Sequence, residues 1–264
     1  MYTPTPKYRK QLNDDQINVL KLLFKFRFGS SDLLARSIGK KQSADIYRRL
    51  RILQDQGLIA RRYEPGYKLL GRPAAYYLTP DGARALHEYD PKLMPNIKAI
   101  YKDKAVSEAF VQYCLDVFGL YRKLHDIHGN ELRFFTRSQL IKYDYFEEFV
   151  PNVYLRINQG GTEHDFFLEY LQSSKPFFAA LQRLKQYVKY ADSGEWEAGT
   201  DSDFPAMLFV CDSRKLLNRL REKADWALDE ADDELGFYAT TLGKLDVWQS
   251  LTDEDEKSHT LLAI

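Results

Sequence analysis

Nine basic side chains crowd the stretch between residues 40 and 72: Lys40, Lys41, Arg48, Arg49, Arg51, Arg61, Arg62, Lys68 and Arg72. Only Asp45, Asp55 and Glu64 oppose them. Ammonium and guanidinium groups at this density neutralise phosphates, and the counterions they displace supply affinity for a polyanion. Gln42, Ser43 and Tyr47 lie among them. Polar side chains of this reach, and arginine above all, pair with base edges in a major groove. Arg48 and Arg51 are three apart, so on a helix they share a face. Lys40 and Lys41 suit phosphates, while Arg61, Arg62, Lys68 and Arg72 suit the DNA backbone or minor groove. The expected partner is double-stranded DNA.

The surrounding sequence supplies elements to position these groups. Residues 1–11 are polar, basic and proline-bearing, and read as a flexible arm. Asn13, with Gln16 three positions on, opens a helix by a capping box. Ile17, Leu20, Leu23 and Phe24 give its apolar stripe, and Gly29 ends the run. Ser30-Ser31-Asp32 caps a short second helix, Leu33 to Ser37. A third helix starts near Ser43 and runs to about Gln56, with Ile46, Leu50 and Leu53 inward at helical spacing. Gly57 terminates it. Residues 58–63 read as a strand, Glu64-Pro65-Gly66 as a turn, residues 67–73 as a hairpin tip and 74–78 as the returning strand. Thr79-Pro80 starts another helix, with a cap and a proline at its first position. Helix, helix, helix, hairpin, helix within residues 12–90 resembles the winged helix-turn-helix, and the phrases LRILQDQGLIARR and GRPAAYYLTPDGARAL resemble those of bacterial winged-helix DNA-binding proteins.

Charge supports this division. The chain of 264 residues has 38 basic and 38 acidic side chains. Residues 1–90 hold 17 Lys and Arg against 9 Asp and Glu, and the remainder holds 21 against 29. A basic module joined to an acidic body fits a nucleic-acid partner. The apolar fraction of 44% suffices for real cores. Cys114 and Cys211 sit in apolar runs without a Cys or His at metal-ligand spacing, so both are expected as reduced core residues. No run approaches the ~20 apolar residues that span a bilayer, so a soluble cytoplasmic protein with no membrane partner is expected.

Residues 91–104, with Pro91 and Pro95, read as a linker. The body is expected over 105–245: a long helix at 105–125, strands at 132–136, 149–157 and 165–171, a helix at 176–191, a strand at 204–211, a helix at 213–228 and a strand at 235–240. The order indicates an α/β domain with a mixed sheet. Residues 246–264 read as an acidic, mobile tail.

That strand order resembles the PD-(D/E)xK nuclease core. The resemblance implies a Pro-Asp opening one strand, an acidic-x-Lys ending the next, and a divalent metal between the carboxylates that activates water. Pro151-Asn152 stands at the first place and Glu169, in FFLEYLQ, at the second. Asn152 is neutral, and Leu171 occupies the lysine position. Lys185 or Lys189 from the following helix are the candidates to supply a lysine. The degenerate set Asn152, Glu169 and Lys185 therefore implies no catalysis and no resident metal, with Mg²⁺ relevant only if the nuclease reading holds.

Across residues 12–245 the chain resembles the replication-relaxation proteins of plasmids and integrative elements. The carriers are GRPAAYYLT, VPNVYLRI, FFLEYLQ and RLKQY; Glu169 and Tyr187 match the family pattern, while Asn152, Leu171 and Arg183 depart from it. The resemblance implies a winged helix joined to a nuclease-like domain, acting in plasmid replication, mobilisation or their regulation. A homodimer or other replication and transfer proteins are the further partners it implies. Two other readings stay open: a nuclease with a migrated site, and a transcription regulator with a sensing or dimerising C-terminal domain.

Overall fold

The computed structural model describes residues 12–41, 44–93, 97–229, 231–232, 235–252 and 258–261. The basic arm, Gln42, Ser43 and the acidic run 253–256 lie outside the described residues. The chain divides into two units, residues 1–122 and 123–264. Among the described residues no helix is long and apolar enough to cross a membrane.

The first unit opens with α1 (Asp14–Phe26), capped by Asn13 and Gln16 in the expected reciprocal box. α1 stops before Gly29: Arg27 takes the C-cap at φ 66°, and Phe28–Gly29 form the short strand β1. A left-handed arginine carries backbone strain. Its guanidinium donates to buried Asp103, an ion pair that fixes the residue in place. α2 (Ser31–Ser37) follows, capped by the Ser30 hydroxyl. α3 (Ala44–Asp55) buries Ile46, Leu50 and Leu53. Gly57, at φ 71°, ends α3 by letting Leu58 N–H reach back to Leu53 O at 2.9 Å, a terminus that favours glycine.

β2 (Ile59–Arg62) then leads not to a plain hairpin tip but to a helical turn, α4 (Pro65–Leu69). Pro65 at the first helical position presets the backbone there, and buried Tyr67 anchors the turn. β3 (Ala75–Leu78) returns between β1 and β2, antiparallel to both. α5 (Pro80–Tyr89) starts on the expected Thr79 cap. Its Gly82 lies so close to the backbone just before β2 that a Cβ would overlap the Leu58 carbonyl oxygen.

Residues 91–104, expected as a linker, contain α6 (Ile97–Lys102) and the 3-10 turn Asp103–Ala105. The long helix α7 (Glu108–His128) begins in this unit. Val111, Cys114 and Leu115 pack with Phe28 and Ala75 in one cluster, and Phe118 stacks on Phe26 at 4.2 Å. The Arg62 guanidinium donates to Val106 O and to the Glu108 carboxylate, which also accepts from the Tyr67 hydroxyl. The unit thus needs residues beyond 92. A fragment ending at Lys92 is expected to melt well below one ending at His128, because it leaves Arg27 and Arg62 without their acids and uncovers Phe28. Equal melting temperatures by circular dichroism would show that α7 contributes nothing here.

The second unit holds a mixed seven-stranded sheet. β4 (Leu132–Thr136) precedes the short α8 (Arg137–Leu140). β5 (Val153–Gln159) and β6 (Thr162–Leu171) form a hairpin, α9 (Phe177–Asp192) and α10 (Glu195–Thr200) follow, then β7 (Ala206–Cys211), α11 (Arg214–Leu228) and β8 (Phe237–Thr241). Pairing is antiparallel for β4–β5–β6 and parallel for β6–β7–β8. The expected mixed α/β order is present. The expected tail is not all tail: β9 (Trp248–Ser250) and β10 (Ser258–His259) extend the sheet, with Trp248 fully buried. Strands of three and two residues are too short for an alternation to be read. Cys114 and Cys211 are free and buried, and burial pushes both thiols up to about 12.

Candidate functional site

On α3 the burial of Ile46, Leu50 and Leu53 turns Tyr47, Arg48 and Arg51 to solvent. Tyr47 is 49% exposed, and the side chains of Arg48 and Arg51 are 70% and 83% exposed. Their ion pairs are local ones on the same helix, Arg48 with Asp45 at 3.0 Å and Arg51 with Asp55 at 3.9 Å. Such exposed pairs are worth little and yield readily to a phosphate or a guanine. The Ser31 hydroxyl, at the start of α2, donates to the Tyr47 oxygen at 3.3 Å.

The other sequence candidates separate into two groups. Lys41, Arg61, Lys68 and Arg72 are exposed, with the Arg61 guanidinium 4.6 Å from the Tyr63 ring centre. Arg49 is turned inward to Asp15 at 2.9 Å, and Lys40 reaches the same carboxylate at 3.8 Å. Arg62 is held by Glu108. Burial and the Glu108 carboxylate push the Tyr67 phenol up to about 12, so it stays a donor in this cluster. Arg49 and Arg62 are thus tied into the fold rather than displayed. No reading of spacing could find this, since Asp15 and Glu108 lie far away in sequence. α4 adds an unexpected feature: Leu69 is 91% exposed at the tip, beside Lys68 and Leu70.

In the second unit, β6 carries Glu169 into the interior, where it is 1% exposed. Four donors surround its carboxylate. Asn152 N–H (3.0 Å), Arg183 Nη2 (2.6 Å) and Tyr187 Oη (2.8 Å) all donate to Oε1, and the Asn152 side-chain amide donates to Oε2. Arg183 also donates to Val150 O at 2.7 Å and lies 4.1 Å from the Phe149 ring centre. Arg183 and Tyr187 are one helical turn apart on α9, so one helix face delivers both. The expected lysines go elsewhere. Lys185 Nζ sits 3.8 Å from the Trp226 ring centre, and Lys189 is exposed. Leu171 is buried core.

This arrangement does not fit a metal. Four donors already occupy the carboxylate, three on Oε1 and one on Oε2, so few of its acceptor sites are left, and the Arg183 charge already neutralises it. Among the described residues no three His, Cys, Asp or Glu side chains come together as a ligand set. Arg183 occupies the electrostatic role that a divalent ion would fill.

A family model for replication-relaxation proteins matches residues 20–203, which include α3, α4, Asn152, Glu169, Arg183 and Tyr187. The chain belongs to the replication-relaxation family. No curated protein and no solved structure matches it. The matched span covers both the exposed α3 face and the Glu169 cluster.

Proposed function

We propose that this replication-relaxation protein binds duplex DNA through its first unit, a winged helix, in plasmid replication, mobilisation or their regulation. The observation that carries the reading is the α3 face of Tyr47, Arg48 and Arg51, displayed without a strong competing acid. α3 enters the major groove and Arg48 and Arg51 meet base edges. Lys41, Arg61, Lys68 and Arg72 meet phosphates, while Leu69 and Leu70 rest against sugar edges of the flanking minor groove.

The second unit is a PD-(D/E)xK-like fold used as a non-catalytic body. Support comes from Glu169, whose oxygens are committed to Asn152, Arg183 and Tyr187. The test is anisotropy of the whole chain with labelled duplex across a salt series. Four phosphate contacts predict that log K falls against log salt with a slope of roughly −4. Salt-independent binding, or none at low salt, would overturn the DNA reading; robust Mg²⁺-dependent nicking of supercoiled plasmid would overturn the non-catalytic one.

A further inference from the structure

A cleft of about 210 Å³ opens at β4 and β5 of the second unit, and Glu169 is not among the residues that line it. Phe135, Tyr145, Tyr154 and Trp196 form its walls. Phe135 and Tyr154 stack at 5.7 Å, and Trp196 meets Tyr145 edge-on at 5.6 Å. Thr200 and Ser202 also line it, their hydroxyls donating to Trp196 O and Thr200 O. The size is below the ~300 Å³ at which drug-sized sites begin, so it suits one ring system.

Two arginines share this cleft, and they stand directly opposite each other, Arg133 on β4 and Arg156 on β5. Like charges in that position repel. Arg156 is already neutralised, by Asp165 through two bonds of 2.7 Å and by Glu163 at 2.7 Å. Arg133 is exposed, and no described acidic side chain pairs with it. The cleft therefore combines aromatic walls with one uncommitted guanidinium. Outside it the pattern continues: Tyr143 stacks on Tyr145 at 5.4 Å and 16°, 41% exposed, with Lys142 Nζ 5.0 Å from its ring centre. An aromatic surface with its own cation beside a second such surface is what successive nucleotides of one strand require.

The geometry points to a binding site for single-stranded nucleic acid, one base seated in the Phe135–Tyr154–Trp196 cleft with its phosphate on Arg133 and the neighbouring base on Tyr143. The site is separate from the α3 face and does not depend on the duplex reading.

The experiment uses the full chain and a labelled oligo-dT carrying 5-iododeoxyuridine. Anisotropy should show binding that weakens about tenfold in Arg133→Gln and in Tyr143→Ala, the scale of one lost stacking or phosphate contact. Lys223→Ala, an equal loss of charge on exposed α11, should bind as the unaltered chain does. Both affected variants should keep the parent melting temperature, since both side chains are exposed. Photocrosslinked peptides should map to Tyr143, Tyr145 or Tyr154. Equal affinity in all variants, or adducts confined to residues 12–90, would overturn the site. Free thymidine monophosphate competing as well as the oligonucleotide would overturn the strand and leave a mononucleotide site.

Discussion

Glu169→Ala is expected to lower the melting temperature of the second unit by roughly 10–20 °C. Removing one partner of a buried ion pair costs ~3–5 kcal/mol, because the other charge is left in the interior without compensation. For a unit of this size each kcal/mol moves the midpoint by a few degrees. The charge left behind is Arg183, whose side chain is only 17% exposed. Asn152 and Tyr187 lose their acceptor at the same time. Glu169→Gln preserves shape but not charge, and should fall between. Replacing both members, Glu169→Gln with Arg183→Met, should cost less than the sum of the two single changes, which makes the coupling measurable by a double-mutant cycle. Lys185→Ala serves as contrast: it loses only the contact with Trp226 and should shift the midpoint slightly. Differential scanning calorimetry checks all of these. Adding Mg²⁺ should leave the midpoint of the unaltered chain where it is, since an ion that bound the native site would raise it. A magnesium-dependent rise abolished by Glu169→Ala would show a metal site and sink the structural account of this carboxylate.

The second large effect concerns recognition. Arg48→Ala and Arg51→Ala should each cost ~1–3 kcal/mol in duplex affinity and relax preference at one base pair. Together they should weaken a specific site by about 10²–10⁴ while barely altering thermal stability, since both side chains are exposed. Lys68→Ala should weaken all sequences alike and flatten the salt dependence by about one unit of slope. Arg62→Ala should behave in the opposite way. It leaves Glu108 and Tyr67 without their cation, lowering stability, and any loss of binding should follow the loss of folded protein. Selection from a random duplex library, run for each variant, separates these outcomes. If Arg48 and Arg51 variants keep the parent preference, α3 does not read bases.

The residues that announced themselves in sequence were those whose signal is local. Asn13 with Gln16, Gly57, and Thr79 with Pro80 mark helix ends because caps act within four residues. Leu132–Thr136 forms β4 as expected, with Leu132, Phe134 and Thr136 buried. α4 gave no such signal: five residues complete little more than one turn, too few for a period. The committed arginines were equally hidden. Arg27 meets Asp103 across 76 residues, and Arg183 meets Glu169 across 14, a pairing fixed only when α9 lies over β6. Read as a departure from the family pattern, Arg183 seemed a loss; in three dimensions it is the cation that closes the site. Arg133 and Arg156 became neighbours through the β4–β5 register, which the sequence leaves open.

Gly82 bears on how genetic data for this protein should be interpreted. With the Leu58 carbonyl where any side chain would have to go, every substitution at that position must push α5 away from the Leu58 backbone. A random mutagenesis screen for lost function would then score Gly82 as severely as Arg48 if α3 reads DNA as proposed, and alleles there would be temperature-sensitive where those at Arg48 are not. Growth at two temperatures sorts the two classes without purifying a single variant.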